Sequence, residues 1–277
     1  MCKIVSAEEK DVEARIDLHL HTTMSDGKYE PSYVVEKAIE AGLSVISLTD
    51  HDTIQGSLAG LEAAGDRIKV ILGVEFSSFY NGEEIHILGY FPRGVGGEIQ
   101  RILENLQEER VSRMKLCLLN LRKKGFRVGY EDVLKFVGGR SVSRSHIARA
   151  LVEQGYASSI YEAFTRFLTA EAGLIPPPTL TPHRLFKILS SSDAISVWAH
   201  PEPAQFDRYI KEFAEAGLCG VEICMKRRTQ FALYYEKTAL DMGLLLTFGS
   251  DWHGFTEEET FGVSVPQEKI EPFLRLF

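Results

Sequence analysis

Short apolar runs alternate with helix-patterned stretches at both ends of this 277-residue chain, and most of the apolar runs close on histidine, aspartate or glutamate. Residues 14–20 read as a strand. Residues 31–41 read as a helix, with Pro31 in its first turn and Gly42 as its stop. A strand over 44–48, a helix over 54–64 and strands over 69–74 and 84–90 follow. After residue 180 the alternation returns, with helices near 182–189, 206–216 and 229–242 and strands at 194–199, 219–224 and 244–248. Strands and helices spaced in this way predict βα units around a barrel-like parallel sheet.

Between these two parts the periodicity is helical throughout. Ile99, Ile102, Leu103, Leu106, Met114, Cys117, Leu118 and Leu121 recur on one face, which predicts a long amphipathic helix over 97–124. Further helices are expected at 130–137, 143–154 and 158–168, and Pro176-Pro177-Pro178 reads as a rigid return. The expected organisation is an α/β body formed by 1–92 and 181–277, interrupted by a helical insertion over 93–180.

Hydrophobic residues at 44% and charged residues at 25% exclude a disordered chain. No apolar run approaches the roughly 18 residues of a membrane span, and residues 1–10 lack the apolar core of a secretory signal. Four scattered cysteines (Cys2, Cys117, Cys219, Cys224) suggest reduced thiols and a cytoplasmic protein. A net charge of -8 argues against coating duplex nucleic acid. The charge is uneven, however. Residues 101–149 hold 12 Lys/Arg against 5 Asp/Glu, while the rest of the chain holds 19 against 34. Such a basic segment is either a solvated helix face or a lid that attracts an anionic substrate.

The chemistry-bearing residues gather at the predicted strand ends. In Asp17-Leu18-His19-Leu20-His21 the two imidazoles are two residues apart and point the same way from an extended chain, so they can reach one cation. Asp26 follows in Ser25-Asp26-Gly27, and His51 lies in Thr49-Asp50-His51-Asp52. Glu75 follows Gly73-Val74, His86 lies in the strand over 84–90, and His200 ends Val197-Trp198-Ala199-His200. Asp251 and His253 form a second spaced pair. A single strand-end histidine is more often structural than ligating, and HxH or DxH alone is a weak signal. Two spaced pairs with Thr-Asp-His-Asp between them weigh strongly for metal. Imidazole and carboxylate suit zinc, manganese or iron, and the lack of cysteine removes the usual structural-zinc reading. Nine ligands exceed one ion's needs; with a bridging carboxylate they would serve three.

Together, Asp17-Leu18-His19-Leu20-His21-Thr22, Ser25-Asp26-Gly27, Thr49-Asp50-His51-Asp52, Gly73-Val74-Glu75, His86-Ile87-Leu88-Gly89-Tyr90, Ala199-His200-Pro201 and Gly249-Ser250-Asp251-Trp252-His253-Gly254 resemble the motifs of the PHP (polymerase and histidinol phosphatase) family. The resemblance implies a distorted (β/α)7 barrel with two or three divalent ions (Mn, Fe or Zn). By motif, His19, His21, Glu75 and Asp251 would hold the first ion. Glu75, bridging, would join His86 and His200 on the second, and Asp26, His51 and His253 would hold the third. A hydroxide bridging the first two ions would attack phosphorus, with Glu75 and Asp251 bridging or orienting it, and Asp50 and Asp52 are candidate partners for ligating imidazoles.

Within the insertion, Ser143-Arg144-Ser145-His146-Ile147-Ala148 resembles a segment of the branch that hydrolyses nucleoside 3′,5′-bisphosphates and trims short oligoribonucleotides from the 5′ end. Ser145 stands where that branch usually has proline. Arg140, Arg144 and Arg149 are candidates for a second phosphate. His146 could contact phosphate or donate a proton to the leaving oxygen. Arg144 and His146 can share one phosphate only if 143–146 is an irregular first turn. Arg149, His183, Arg227 and Arg228 also read as plain surface residues. A small phosphorylated substrate, a nucleotide or short oligonucleotide, is the expected partner. The rivals are a histidinol-phosphate phosphatase and a non-catalytic metal- or nucleotide-binding module.

Overall fold

The structure is a computed structural model describing residues 13–139, 141–169, 172–224 and 231–277. Strand β1 (Glu13–Leu20) buries both faces over its last five residues. Ile16, Leu18 and Leu20 point one way, and Asp17 and His19 point the other. Helix α1 (Pro31–Glu40) starts on Pro31 and buries Val34, Val35 and Ala38. The chain then reverses through Gly42, whose φ of +69° suits glycine. Strand β2 (Val45–Leu48), helix α2 (Gln55–Ala64) and strand β3 (Lys69–Val70) follow, with β1, β2 and β3 pairing in parallel.

The single strand expected over 69–74 is two strands in two different sheets. β3 stops at Val70, and β4 (Gly73–Tyr80) runs on past Glu75 to a turn at Asn81-Gly82. Both turn residues have positive φ (+49° and +87°), the geometry that Asn-Gly supplies in a tight hairpin. Strand β5 (Glu83–Tyr90) therefore returns antiparallel to β4, with Ser77 opposite His86. His86 thus lies in the middle of a strand, not at its end.

Helix α3 (Gly97–Lys123) begins the insertion and is about 40 Å long. Its buried Ile99, Leu103 and Leu106 belong to the core of the body. Its Met114, Cys117, Leu118 and Leu121 belong to a separate cluster, completed by α4 (Tyr130–Leu134), α5 (Arg144–Glu153) and α6 (Ile160–Phe167). The chain re-enters the body through α7 (Pro182–Ser191), then β6 (Ile195–Trp198), α8 (Pro203–Glu215), β7 (Gly220–Cys224), α9 (Ala232–Asp241) and β8 (Leu245–Gly249). Two elements not predicted complete it. Strand β9 (Val263–Pro266) pairs antiparallel with β1, and α10 (Gln267–Leu274) packs against β8.

The strands form two sheets, ordered β3-β2-β1-β9 and β4-β5-β6-β7-β8. The body is therefore mixed, with antiparallel pairs β4–β5, β5–β6 and β1–β9, where a parallel sheet was expected. Among the described residues no continuous ladder closes the two sheets into one barrel; isolated bridges join them at two seams. At one, Leu20 bridges Trp252 and His21 N–H donates to Trp252 O at 3.0 Å. At the other, His51 bridges Glu75 and Asp52 N–H donates to Glu75 O at 2.9 Å. These seams draw together the segments that carry the candidate ligands. No helix among the described residues is long and apolar enough to cross a membrane.

Candidate metal centre

All nine predicted ligands converge. His19 and His21 are fully buried. Nδ1 of His19 lies 2.9 Å from Glu222 Oε1, and its Nε2 lies 3.1 Å from Nε2 of His21. With the His19 proton on Nδ1 facing Glu222, the Nε2 lone pair faces another imidazole nitrogen, an arrangement a cation relieves. His21 Nε2 is 3.2 Å from Glu75 Oε2 and 3.4 Å from Asp251 Oδ1. On the other oxygen of Glu75, Oε1 is 2.9 Å from both His86 Nδ1 and His200 Nε2. Asp26 Oδ1 is 3.5 Å from His253 Nε2, and its Oδ2 is 3.9 Å from His51 Nε2.

Three overlapping groups in this cluster have the spacing to hold an ion: His19 with His21 and Glu75, His51 with Glu75 and His86, and His21 with Asp26, His51 and His253. Bonds of about 2.0–2.1 Å place tetrahedral donors about 3.3 Å apart, close to the separations here. His51 Nδ1 and Glu75 Oε2 are both buried without a hydrogen-bond partner, although only 2.9 Å apart. Orphaned buried atoms are costly unless a ligand satisfies them. The residues present therefore fit divalent cations.

The acids that orient the imidazoles are not the predicted ones. Asp50 accepts from Thr22 N–H (2.8 Å), Thr22 Oγ1 (2.6 Å) and Ser25 Oγ (2.6 Å), so it builds the loop that carries Asp26 and touches no imidazole. Asp52 accepts from Ser77 N–H and pairs with Arg110. The acid beside His19 is Glu222, which also accepts from His200 N–H at 2.8 Å. Its signal was a lone acid in the apolar strand Gly220-Val221-Glu222-Ile223-Cys224. Gly249 permits this approach, since a Cβ there would lie 2.4 Å from His19 Cβ and 2.5 Å from Glu222 Oε1. His200 and Asp251 hold φ of +32° and +55°, costly conformations for side-chain-bearing residues and ones that cluster at working sites.

Electrostatically the cluster is built for positive charge. Burial pushes Glu75, Asp26 and Asp251 up, but the facing imidazoles more than offset it and hold all three well below the usual carboxylate range. Burial opposes charging His21 and His86, yet the surrounding carboxylates raise them to about 10 and about 9.

Above the cluster lies a cavity of about 290 Å³ whose opposite wall comes from the insertion and includes Arg110, Arg113, Ser143 and Arg144. Arg144 Nη2 is 2.6 Å from Glu84 Oε2, and Arg113 Nε donates to Pro176 O at 2.7 Å. Residues 143–146 form the first turn of α5: Ser143 is the cap, Ser145 N–H donates to its Oγ, and Ser143 N–H donates to His146 Nδ1. His146 is thereby buried at 1% exposure, within the turn and away from the cavity lining. Burial lowers it to about 4, so it is neutral near pH 7. Ser145 lines the cavity and donates through Oγ to Asp26 Oδ2 at 3.1 Å. Arg149 stacks 4.2 Å from the Phe255 ring and is half-buried. His183 pairs with Glu212 at the surface. Arg140, Arg227 and Arg228 lie outside the described residues. Arg110, Arg113 and Glu84 were not predicted; an arginine on the buried stripe of α3 was the available signal for Arg110.

Buried imidazoles and carboxylates set beneath an arginine-bearing wall fit a metal-dependent hydrolase of phosphoester bonds, the class that this chain's relatives support. The chain matches the 5′-3′ exoribonuclease Rnm of Salmonella typhimurium at 30% identity over 86% of this chain and 84% of that protein. It matches the 3′,5′-nucleoside bisphosphate phosphatase of Chromobacterium violaceum at 26% identity over 87% of each. A crystal structure from Bifidobacterium adolescentis, assigned as a metal-dependent phosphoesterase, superposes with a TM-score of 0.81 at 27% identity, over 94% of each chain. The PHP domain profile matches residues 17–167. The chain belongs to the PHP family.

Proposed function

We propose that the nine clustered residues hold two or three divalent ions, and that the enzyme hydrolyses phosphate esters of nucleoside 3′,5′-bisphosphates or trims short 5′-phosphorylated oligoribonucleotides. On this reading the two sheets are a distorted barrel of the (β/α)7 type with added strands, and residues 93–180 are a cap. The observation that carries it is one cavity with two different anion-binding walls: the cation-seeking cluster below, and Arg113 and Arg144 above. Each guanidinium has five donors. The bonds to Pro176 and Glu84 therefore leave donors for a second phosphate on the same substrate. A histidinol phosphate carries one phosphate and gives the upper wall nothing to bind. The named relatives that act on nucleoside bisphosphates and RNA ends support the same choice.

Bound divalent ions would supply Lewis acidity at phosphorus and lower the pKa of water toward roughly 7. The chain's own residues do the rest. Glu222 keeps the proton of His19 on Nδ1 and so fixes which nitrogen faces the cluster. Glu84 holds the Arg144 guanidinium at the cavity edge while its other oxygen faces His86 Nε2 at 3.5 Å. His146, neutral and turned into α5, holds the Ser143 backbone and with it the start of the turn that presents Arg144.

The test is an activity panel on protein loaded with Mn, Fe or Zn. Phosphate release from adenosine 3′,5′-bisphosphate but not from histidinol phosphate is expected. Turnover of histidinol phosphate alone would favour that rival, and no turnover at all would favour a binding module. Arg144→Ala should cost the bisphosphate roughly 10- to 100-fold in kcat/KM, the scale of losing a charged hydrogen bond of about 1.5–3 kcal/mol, and an aryl phosphate far less. Equal losses would remove the cap from substrate choice.

A further inference from the structure

Arg110 lies where α3 passes from the core of the body to the core of the insertion, between Leu106 of the one and Met114 of the other. It is a buried arginine, 9% exposed, and all three of its nitrogens are engaged by protein. Nε pairs with Asp52 Oδ2 at 2.5 Å, Nη2 donates to Ser77 Oγ at 2.6 Å, and Nη1 donates to Val142 O at 2.9 Å. The three acceptors come from three segments. Asp52 follows the candidate ligand His51, Ser77 lies on β4 two residues beyond Glu75, and Val142 immediately precedes the Ser143 cap of α5. Neighbouring bonds tighten the same joint. Gln107 Nε2 donates to Asp52 O at 3.2 Å, and Ser141 Oγ donates to His51 O at 2.5 Å.

The three bonds hold the guanidinium in place, and swinging it toward a phosphate in the cavity would break them. Leaving the carboxylate of Asp52 unpaired in the interior is heavily penalised. The arginine therefore lines the cavity with its orientation set by protein acceptors from three segments.

We propose that Arg110 is a positioning residue. It clamps the 141–144 segment of the cap onto the metal-centre loop and β4, and so fixes Arg144 at the height where the second phosphate arrives. This rests on the reading that the substrate carries such a second anionic group. The clamp makes the cap a fixed wall and not a swinging lid: moving 141–144 away breaks its bonds to Arg110 Nη1 and His51 O, and moving α3 with it breaks the buried ion pair with Asp52 and the bond to Ser77 as well.

The test uses the full-length, manganese-loaded enzyme with Arg110→Lys, which keeps the charge but cannot make all three bonds, and with the Arg110→Met/Asp52→Asn double variant, which removes both buried charges and keeps an acceptor for Ser77 N–H. Four quantities are read: KM and kcat for adenosine 3′,5′-bisphosphate, kcat/KM for an aryl phosphate, metal content, and amide hydrogen exchange over 141–149. The expected result for both variants is a KM for the bisphosphate raised at least about 10-fold, on the scale of weakening one charged contact, with its kcat within about 3-fold. Aryl phosphate turnover and metal content should be unchanged, and exchange over 141–149 faster.

Parallel loss of both activities together with metal would overturn the proposal, because Arg110 would then be supporting the His51 loop alone. Unchanged exchange would overturn it too, as would faster exchange with an unchanged KM. If the unsubstituted enzyme hydrolyses aryl phosphate but not the bisphosphate, the substrate reading fails. The clamp is then judged by exchange alone: acceleration over 141–149 supports it, and its absence overturns it.

Discussion

Glu222 does not line the cavity above the cluster, yet it faces His19 Nδ1 and the His200 backbone from inside the body. Replacing it with glutamine keeps the size and one acceptor but removes the second oxygen and the charge. Metal affinity should fall about 10- to 100-fold, the usual cost of losing an acid that orients a ligating imidazole. Competition against a graded series of chelators measures this, and unchanged affinity would show that Glu222 has no hold on the centre. At this scale the residues that cluster were highly legible in the sequence. Metal chemistry requires His, Asp and Glu in spaced pairs, and such pairs stand out in apolar strands. Their supporting acids were less legible. Asp50 and Asp52 sit beside the candidate ligand His51 in sequence but turn to Thr22, Ser25 and Arg110, whereas Glu222 lies 203 residues from the imidazole it faces. Adjacency along the chain does not report which acid a strand crossing will deliver.

Among the elements, α5 carries a built-in acid sensitivity away from the metal centre. His146 is buried in its first turn and lowered to about 4, against about 6.5 in an unfolded chain. A histidine depressed on folding binds its proton more tightly when unfolded. Its contribution is therefore complete above about pH 6.5 and is lost as pH falls toward 4, amounting to about 3 kcal/mol at most. Urea denaturation at pH 7.5 and 4.5 should show the unsubstituted protein losing about 2–3 kcal/mol more than His146→Asn, which keeps an acceptor for Ser143 N–H. Equal losses would mean that His146 charges freely in the folded state. The same element resolves the expectation that Arg144 and His146 share a phosphate: as first and third residues of the turn they separate, one toward the cavity and one into the core. Helix periodicity gave α3 nearly to the residue. The β4–β5 hairpin was missed although Asn81-Gly82 marks it, because the apolar runs on either side matched the spacing of βα units.

For the molecule as a whole, six of the seven strands expected around a parallel barrel are present and the seventh is divided between the two sheets; the hairpin, the β5–β6 pair and β9 make the sheets mixed, and the ladder is interrupted at two seams. Four-residue β9 with its Val-Ser-Val-Pro sequence carries too little pattern to be read alone. The seams bring strand ends close enough for donors from β1, β4, β5 and the loops after β2, β6 and β8 to share one space, and buried acids and unpaired atoms there favour a bound cation. Occupied sites stabilise the fold by mass action, so the melting temperature should rise on adding manganese and fall with a chelator. The most direct test counts the metal. Elemental analysis of protein reconstituted with manganese and passed over a desalting column should find between two and three ions per chain, and Glu75→Ala, which removes the acid that faces both His19/His21 and His86/His200, should hold at most one. A well-folded unsubstituted protein that emerges without metal would contradict the account.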